Sequence, residues 1–120
     1  MKYKVKNKKR QAVVRDKPSL LLMTPDKIKS ILTRYKKELK DRFQVKEIGI
    51  FGSYLRGEPS NKSDLDILVE FQKDAKLSLL DVADLEITLS QLLGVKVDLV
   101  EKKCLKPYIG QRILNEVVYI

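Results

Sequence analysis

One short segment of the chain combines a glycine–serine pair with two closely spaced aspartates. Gly52-Ser53 is followed by ten residues and then by Asp64-Leu65-Asp66. A glycine–serine turn can bring backbone N–H groups close to a phosphate, because glycine carries no side chain. Two neighbouring carboxylates repel each other, and a hard cation such as Mg²⁺ relieves that repulsion while also binding phosphate oxygens. The spacing therefore predicts a site for a nucleoside triphosphate and its magnesium.

Two predicted strands position these residues. Residues 47–51 are mostly apolar and rich in β-formers, which is typical of a buried strand, and Gly52 ends it. Residues 63–71 predict a second strand with an apolar interior. Side chains alternate faces along a strand, so we expect Asp64 and Asp66 to project from the same face. Acidic residues are also common at solvated strand ends, but paired acids at the head of a buried strand favour the site.

The turn between the strands suits an anion. Residues 54–56 are expected to start a short helix, whose first N–H groups would point at the anion. Arg56 adds a fixed positive charge that matches phosphate oxygens, with capping of the loop as its alternative role. Residues 57–62 are polar and turn-rich, which predicts a loop. A lone glycine–serine pair is more often an ordinary strand-ending turn, so the prediction depends on the aspartates that follow.

A third aspartate lies on the next predicted strand. Residues 95–100 alternate between two faces, and Asp98 lies among apolar strand formers. If this strand lies beside the second one, Asp98 can join Asp64 and Asp66. Taken alone, an aspartate on a strand is more often a surface residue.

These residues together resemble the signature of the minimal nucleotidyltransferase family, within the DNA polymerase β-like superfamily. The resemblance implies that Gly52 and Ser53 hold the triphosphate. It also implies that Asp64 and Asp66 coordinate two Mg²⁺, and that Asp98 shares a metal and helps to deprotonate the attacking hydroxyl. No position of the motif departs from the family pattern.

The likeness spans roughly residues 24–120, and the pattern around it predicts an α/β domain. Thr24 can cap a first helix, with Pro25 at its first position. Two further helices are predicted at about 78–93 and 107–117. The order helix, strand, turn, strand, helix, strand, helix indicates a small mixed β-sheet packed with helices, and the resemblance implies the nucleotidyltransferase fold.

Apolar residues at helical spacing are expected to face the core. They are Ile28, Ile31, Leu32, Tyr35, Leu39 and Phe43 on the first helix, Leu79, Val82, Leu85, Leu89 and Leu92 on the second, and Ile109, Ile113 and Val117 on the third. Gly94 suits the end of the second helix. Tyr119 and Ile120 close the chain with apolar side chains, which indicates either a partner surface or completion of the core.

Composition narrows the class of protein. The 120 residues suit one small domain, and 43% of them are hydrophobic. The chain contains no histidine, which excludes histidine-based acid–base catalysis but leaves a carboxylate–metal mechanism possible. Cys104 is the single cysteine, so no internal disulfide can form. A lone cysteine fits a reducing compartment, and no secretory signal or stretch long enough to span a membrane is evident, so we expect a cytoplasmic protein.

The net charge of +9 is unevenly distributed. Residues 1–23 contain eight Lys or Arg and one Asp, whereas the remainder is close to neutral. We expect residues 1–23 to form a basic, flexible extension, separate from a domain at 24–120. Such an extension could touch nucleic acid or an acidic partner, but a solvated tail is the simpler interpretation. Nucleic acid is therefore not an expected partner except through this tail.

The resemblance also implies a substrate and a partner. Small members of this family resemble antitoxins that transfer AMP from ATP to a tyrosine of an all-helical HEPN-type ribonuclease toxin encoded by the adjacent gene. That would make the chain a type VII-like antitoxin, working in a hetero-oligomer with the toxin or as a homodimer. Two alternatives stay open at this point: an antitoxin that neutralises its toxin by binding alone, and a nucleotidyltransferase that modifies a small-molecule hydroxyl.

Overall fold

The computed structural model describes residues 23–57 and 64–120, and these form a four-stranded sheet with three longer helices. The elements in chain order are α1 (Pro25–Phe43), β1 (Val45–Phe51), β2 (Leu65–Phe71), α2 (Leu79–Leu93), β3 (Val97–Glu101), a 3₁₀ turn (Lys102–Cys104), α3 (Pro107–Glu116) and β4 (Val118–Tyr119). The predicted N-terminal extension, apart from Met23, lies outside the described residues, as does Ser63. No helix within the described ranges is long and apolar enough to cross a membrane.

The sheet is mixed, as predicted. Its strand order is β3-β2-β1-β4. The β1 strand runs antiparallel to both β2 and β4, whereas β2 and β3 are parallel. The parallel pair is possible because α2 crosses from the end of β2 to the start of β3. The sheet therefore places the heads of β2 and β3 side by side.

Local signals in the sequence define the helix ends. The Thr24 side chain accepts a hydrogen bond from the Lys27 N–H at 3.2 Å, which caps α1. Ser78 and Asp81 form a reciprocal capping box at the start of α2. Gly94 ends α2 in the left-handed conformation, with φ 71°.

The core lies on one face of the sheet, beneath α1 and α2. Strand residues Leu65, Ile67 and Val69 are fully buried there. Their helical partners are Ile28, Leu32, Leu39 and Phe43 of α1 and Leu85, Leu89 and Leu93 of α2. Because side chains alternate along β2, Asp66 and Leu68 face the opposite side of the sheet. The predicted site thus lies on the face of the sheet opposite this core.

Three predictions about individual residues are wrong. Leu79 is 89% exposed rather than buried, because it is the first residue of α2 and full burial on that helix begins only at Leu85. Leu93, rather than Leu92, completes the buried stripe. Ile109 is 61% exposed because it lies in the first turn of α3, where Gly110 is the only fully buried residue.

The C-terminal residues form a short strand that the sequence did not predict. In β4, Tyr119 pairs with Gly49 and Val118 with Ile50. The N–H of Ile120 then donates to the Ile48 carbonyl at 2.9 Å, and the Ile120 side chain packs against the core. Of the two expectations for this end of the chain, core completion is confirmed for Ile120, while Tyr119 stays 40% exposed.

Candidate active site

Two of the predicted site residues face each other across the parallel strands. Asp66 of β2 and Asp98 of β3 are register partners. Both alternate with residues that point into the core, so both project from the opposite face of the sheet. Asp66 is half-buried and Asp98 is exposed. The adjacency that the sequence could only suppose for Asp98 is therefore present.

Asp64 lies one step before β2 and close to the same corner. Its side chain is 38% exposed, and its Oδ2 lies 4.0 Å from the Lys96 Nζ. The backbone here is fixed, because the Leu65 N–H donates to the Lys96 carbonyl at 2.8 Å. Asp64 also acts on Tyr54, whose pKa is raised mainly by burial and additionally by the Asp64 charge. The turn that follows β1 and the head of β2 are therefore close neighbours.

Crowding of negative charge is the main electrostatic property of this corner. The pKa of Asp66 is raised, first by burial and then by the charges of Asp98, Asp64 and Glu116. Arg56 opposes this effect and lowers the pKa. A carboxylate held among like charges is one that a bound cation would relieve.

The chemistry of these side chains fits magnesium. Asp64, Asp66 and Asp98 offer only oxygen donors, which Mg²⁺ prefers, and their mutual repulsion would fall on metal binding. Within residues 23–57 and 64–120, no three acidic, histidine or cysteine side chains already converge as a metal cage. The metal-binding role of the three aspartates therefore stays a prediction.

Gly52 brings the glycine–serine turn against the carboxylates. Phe51, the last residue of β1, is the register partner of Asp66. Gly52 follows with φ 83°, a left-handed conformation that L side chains rarely adopt. A Cβ atom placed on Gly52 would collide with the Asp66 carboxylate. This position therefore requires glycine both for its backbone conformation and for the close approach of the turn to Asp66.

The rest of the turn is one compact loop rather than the predicted helix start. The Arg56 N–H donates to the Gly52 carbonyl and the Gly57 N–H to the Tyr54 carbonyl, each at 3.2 Å. Residues 53–57 are turn residues, and no helix of the described chain begins there. Ser53, the second residue of this loop, is half-buried. The predicted phosphate-binding residues are thus brought together within a single turn.

Glu116 is a site residue that the sequence did not reveal. As the last residue of α3, it reaches the turn from a distant part of the chain. Its Oε2 accepts a hydrogen bond from the Gly52 N–H at 2.8 Å, and its Oε1 accepts one from the Arg56 Nη1 at 2.6 Å. One signal could have indicated it: an acid at a helix C-terminus is unfavourable next to the helix dipole, so its position calls for a partner elsewhere.

Comparison with known proteins shows the class to which the protein belongs. Residues 32–120 match the model of the nucleotidyltransferase domain family. The chain belongs to this family, and the predicted enzyme class and fold are confirmed.

The chain is similar to individual proteins within and around this family. The protein adenylyltransferase MntA of Thermococcus cleftensis is 52% identical over 101 residues, which cover 84% of this chain and all of MntA. A structure solved for a protein assigned as a minimal nucleotidyltransferase is 35% identical, with a TM-score of 0.61 over 76% of this chain and 93% of that one. A toxin–antitoxin crystal structure with AMP-PNP is 26% identical, with a TM-score of 0.59 over 72% and 69% of the respective chains.

Proposed function

We propose that this chain is a Mg²⁺-dependent protein adenylyltransferase that transfers AMP from ATP to a hydroxyl of a toxin partner, and so acts as an antitoxin. The observation that carries the proposal is the contact between the Gly52 turn and Asp66, which is paired with Asp98. This contact puts a candidate phosphate-binding turn beside a cluster of oxygen ligands. The relative named protein adenylyltransferase and the toxin–antitoxin structure with AMP-PNP support the substrate class.

The residues have distinct roles in this proposal. In the glycine–serine turn, Gly52 lets the backbone come close to the triphosphate and Ser53 supplies hydrogen-bond donors to it, while the guanidinium of Arg56 helps to orient it. Asp64, Asp66 and Asp98 would hold two Mg²⁺. When bound, these ions neutralise charge on the phosphates and on the departing pyrophosphate. The catalytic role of the residues is therefore mainly position and electrostatics.

The transfer step replaces the phosphoanhydride bond between the α- and β-phosphates of ATP with a phosphodiester bond to the acceptor. The acceptor oxygen forms a bond to the α-phosphorus, and the bond from that phosphorus to the pyrophosphate oxygen breaks. The hydroxyl proton passes to a carboxylate, for which the exposed Asp98 is the candidate. The products are an AMP ester of the acceptor and pyrophosphate.

A protein acceptor fits the shape of this corner. Asp98 is exposed and Asp64 is 38% exposed, so the site lies at the surface and can meet a side chain of another protein. We propose that the acceptor is a tyrosine of a HEPN-type ribonuclease toxin, as the family resemblance implies. The same proposal includes a cytoplasmic location, which suits the exposed free thiol of Cys104.

The direct test is to incubate the protein with ATP, Mg²⁺ and the product of the adjacent gene, and to measure the intact mass of that partner. We expect the wild type to add one AMP mass or multiples of it. Asp64→Ala and Asp66→Ala should abolish the addition. Asp74→Ala is the matched control, because Asp74 is an exposed aspartate in the turn after β2 and should leave transfer unchanged.

A second candidate function is neutralisation of the toxin by binding alone. Tyr108 and Ile109, at the start of α3, are 90% and 61% exposed, and large apolar side chains exposed together are typical of a contact surface. Cell survival separates the two functions. Protection by Asp64→Ala equal to that of the wild type would favour binding alone, whereas loss of protection with an intact complex would favour AMP transfer.

A further inference from the structure

Glu116 joins the last helix to both ends of the nucleotide turn, which is defined here as Gly52–Gly57. One carboxylate oxygen accepts the Gly52 N–H at 2.8 Å, and the other accepts the Arg56 Nη1 at 2.6 Å. Gly52 and Glu116 are 64 residues apart in the chain, so neither contact is local. A single side chain therefore fixes the first residue of the turn and the cation near its end.

The Gly52 amide needs such a partner. Gly52 is buried, and its left-handed φ takes the chain out of the β1 ladder. A buried N–H without an acceptor is strongly unfavourable, so nearly all are paired in folded proteins. Glu116 supplies that acceptor as a charge-assisted bond. This bond is the largest of the effects that lower the pKa of Glu116, with Arg56 also contributing, so the carboxylate stays ionised.

The sheet holds Glu116 in place. A single residue separates Glu116 from β4, where Val118 and Tyr119 pair with Ile50 and Gly49 of β1. The same strand β1 leads into Gly52. Glu116 and the nucleotide turn are therefore both anchored to β1 within a few residues, so the distance between them is set by backbone pairing rather than by flexible side chains.

We propose that Glu116 is a positioning residue for nucleotide binding: it fixes the Gly52 backbone and aims the Arg56 guanidinium, so that the turn is preformed for a triphosphate. The inference rests on the proposed function, because it assigns the turn to ATP. Within the described residues, neither the amide nor the hydroxyl of Ser53 forms a hydrogen bond, so Glu116 takes the Gly52 donor and leaves those of Ser53 for phosphate.

The opposite role for Glu116 would be a placeholder that the triphosphate displaces. Displacement would leave the buried Gly52 amide to be paired again and would put an unpaired carboxylate next to both the triphosphate and Asp66. A guanidinium carries five N–H donors, so Arg56 can bind Glu116 and a phosphate at the same time. The contacts therefore favour support of the turn over competition with the nucleotide.

The two roles predict opposite changes in the KM for ATP: removal of a supporting Glu116 should raise it, whereas removal of a competing Glu116 would lower it. We expect Glu116→Ala to raise this KM by about 10-fold, the effect of one lost hydrogen bond to a charged group, with a smaller change in kcat. Glu116→Gln keeps an acceptor oxygen for the Gly52 N–H and should restore part of the loss. Asp81→Ala is the matched control: Asp81 also accepts a backbone N–H, that of Ser78 at 2.9 Å, but at the start of α2.

A second measurement needs no catalysis. Hydrogen exchange of the Gly52 amide, followed by NMR without nucleotide, should be faster in Glu116→Ala than in the wild type and in Asp81→Ala. Thermal unfolding of each variant verifies that the comparison is made on folded protein. If Glu116→Ala does not fold, Glu116→Gln alone decides: a KM at or below that of the wild type would overturn the inference.

Binding of a non-transferable ATP analogue separates this inference from the proposed function. If the wild type binds the analogue but transfers no AMP, weaker binding by Glu116→Ala supports the positioning role although the proposed function fails. If the wild type transfers AMP and Glu116→Ala has an unchanged or lower KM, the inference fails alone. If the wild type does not bind the analogue, both fail.

Discussion

The two faces of β2 carry different groups, although Leu68, on the same face as Asp66, is also buried. Leu65, Ile67 and Val69 are 0% exposed and pack beneath α1 and α2. Asp66, between them, lies on the other face next to Asp98, where burial and neighbouring charges raise its pKa. One face is held together by apolar burial, whereas the other gathers groups that repel one another. A single strand thus carries core residues on one face and, on the other, the Asp66 carboxylate that the proposed reaction uses.

The largest expected effect is on activity, from a change on the site face. Asp66→Asn should lower the rate of AMP transfer by roughly 1,000-fold or more, because the metals lose a negatively charged ligand. Stability should not fall, since the variant removes a carboxylate held among like charges. Kinetics of AMP transfer and thermal unfolding of the same sample measure both effects. A loss of activity accompanied by a clear loss of thermal stability would contradict the separate roles of the two faces.

Asp66 should also make the stability of the metal-free protein depend on pH. The pKa of Asp66 is higher in the folded protein than its ordinary value of 3.8, so the folded state binds the proton more tightly than the unfolded state does. Without metal, the Asp66 contribution should therefore lower the free energy of unfolding as pH rises from 3.8 to the higher pKa of Asp66 in the folded state. Asp66→Asn should remove this dependence in urea titrations.

On the core face, the expected effect is on stability. Ile67→Ala leaves a cavity next to fully buried neighbours and should lower the free energy of unfolding by about 2–5 kcal/mol. The KM for ATP of the folded fraction should stay that of the wild type. Urea denaturation and steady-state kinetics provide the two numbers. A loss below about 1 kcal/mol would show that the core face does not carry the stability assigned to it.

Gly52→Ala tests the point where the turn meets the carboxylates. A left-handed conformation costs a non-glycine residue about 1–2 kcal/mol, and the new methyl group would also collide with Asp66. Gly94→Ala is the matched control, since Gly94 has φ 71° but open space around its Cβ position. We expect Gly52→Ala to be the more destabilising of the two in thermal unfolding and to lose activity, while Gly94→Ala keeps it. Equal effects would mean that Asp66 does not crowd the turn.

The smallest expected effect on stability is that of the Glu116 carboxylate. Its pKa is lowered from 4.5, so its contribution to stability is present above pH 4.5 and is lost as pH falls through the lower pKa of the folded state. Solvent screening limits this contribution to less than about 1 kcal/mol. Glu116→Gln should flatten the acid side of the stability profile. An unchanged profile would mean that the carboxylate is not held by the Gly52 amide and Arg56.

Much of the fold could be predicted because its signals are local. The Thr24 cap and the Gly94 terminus follow from residue type, and both are observed. Strand alternation predicted Asp64 and Asp66 on one face, but the pairing of Asp98 with Asp66 depends on the third strand lying beside the second, which the sequence did not establish. The two-residue strand Val118–Tyr119 is too short to show a period, so it was missed. Contact between Glu116 and Gly52 depends on backbone pairing far along the chain, and no local pattern encodes that.

The most direct test of the site is a titration of Mn²⁺, as a spectroscopic substitute for Mg²⁺, in the presence of a non-transferable ATP analogue. Electron paramagnetic resonance should detect bound Mn²⁺ in the wild type and in Asp74→Asn. Binding should weaken by at least about 10-fold in Asp66→Asn and in Asp98→Asn, because each removes one charged ligand. If both of these variants bind Mn²⁺ as tightly as the wild type does, this face of the sheet is not the site of metal and nucleotide binding.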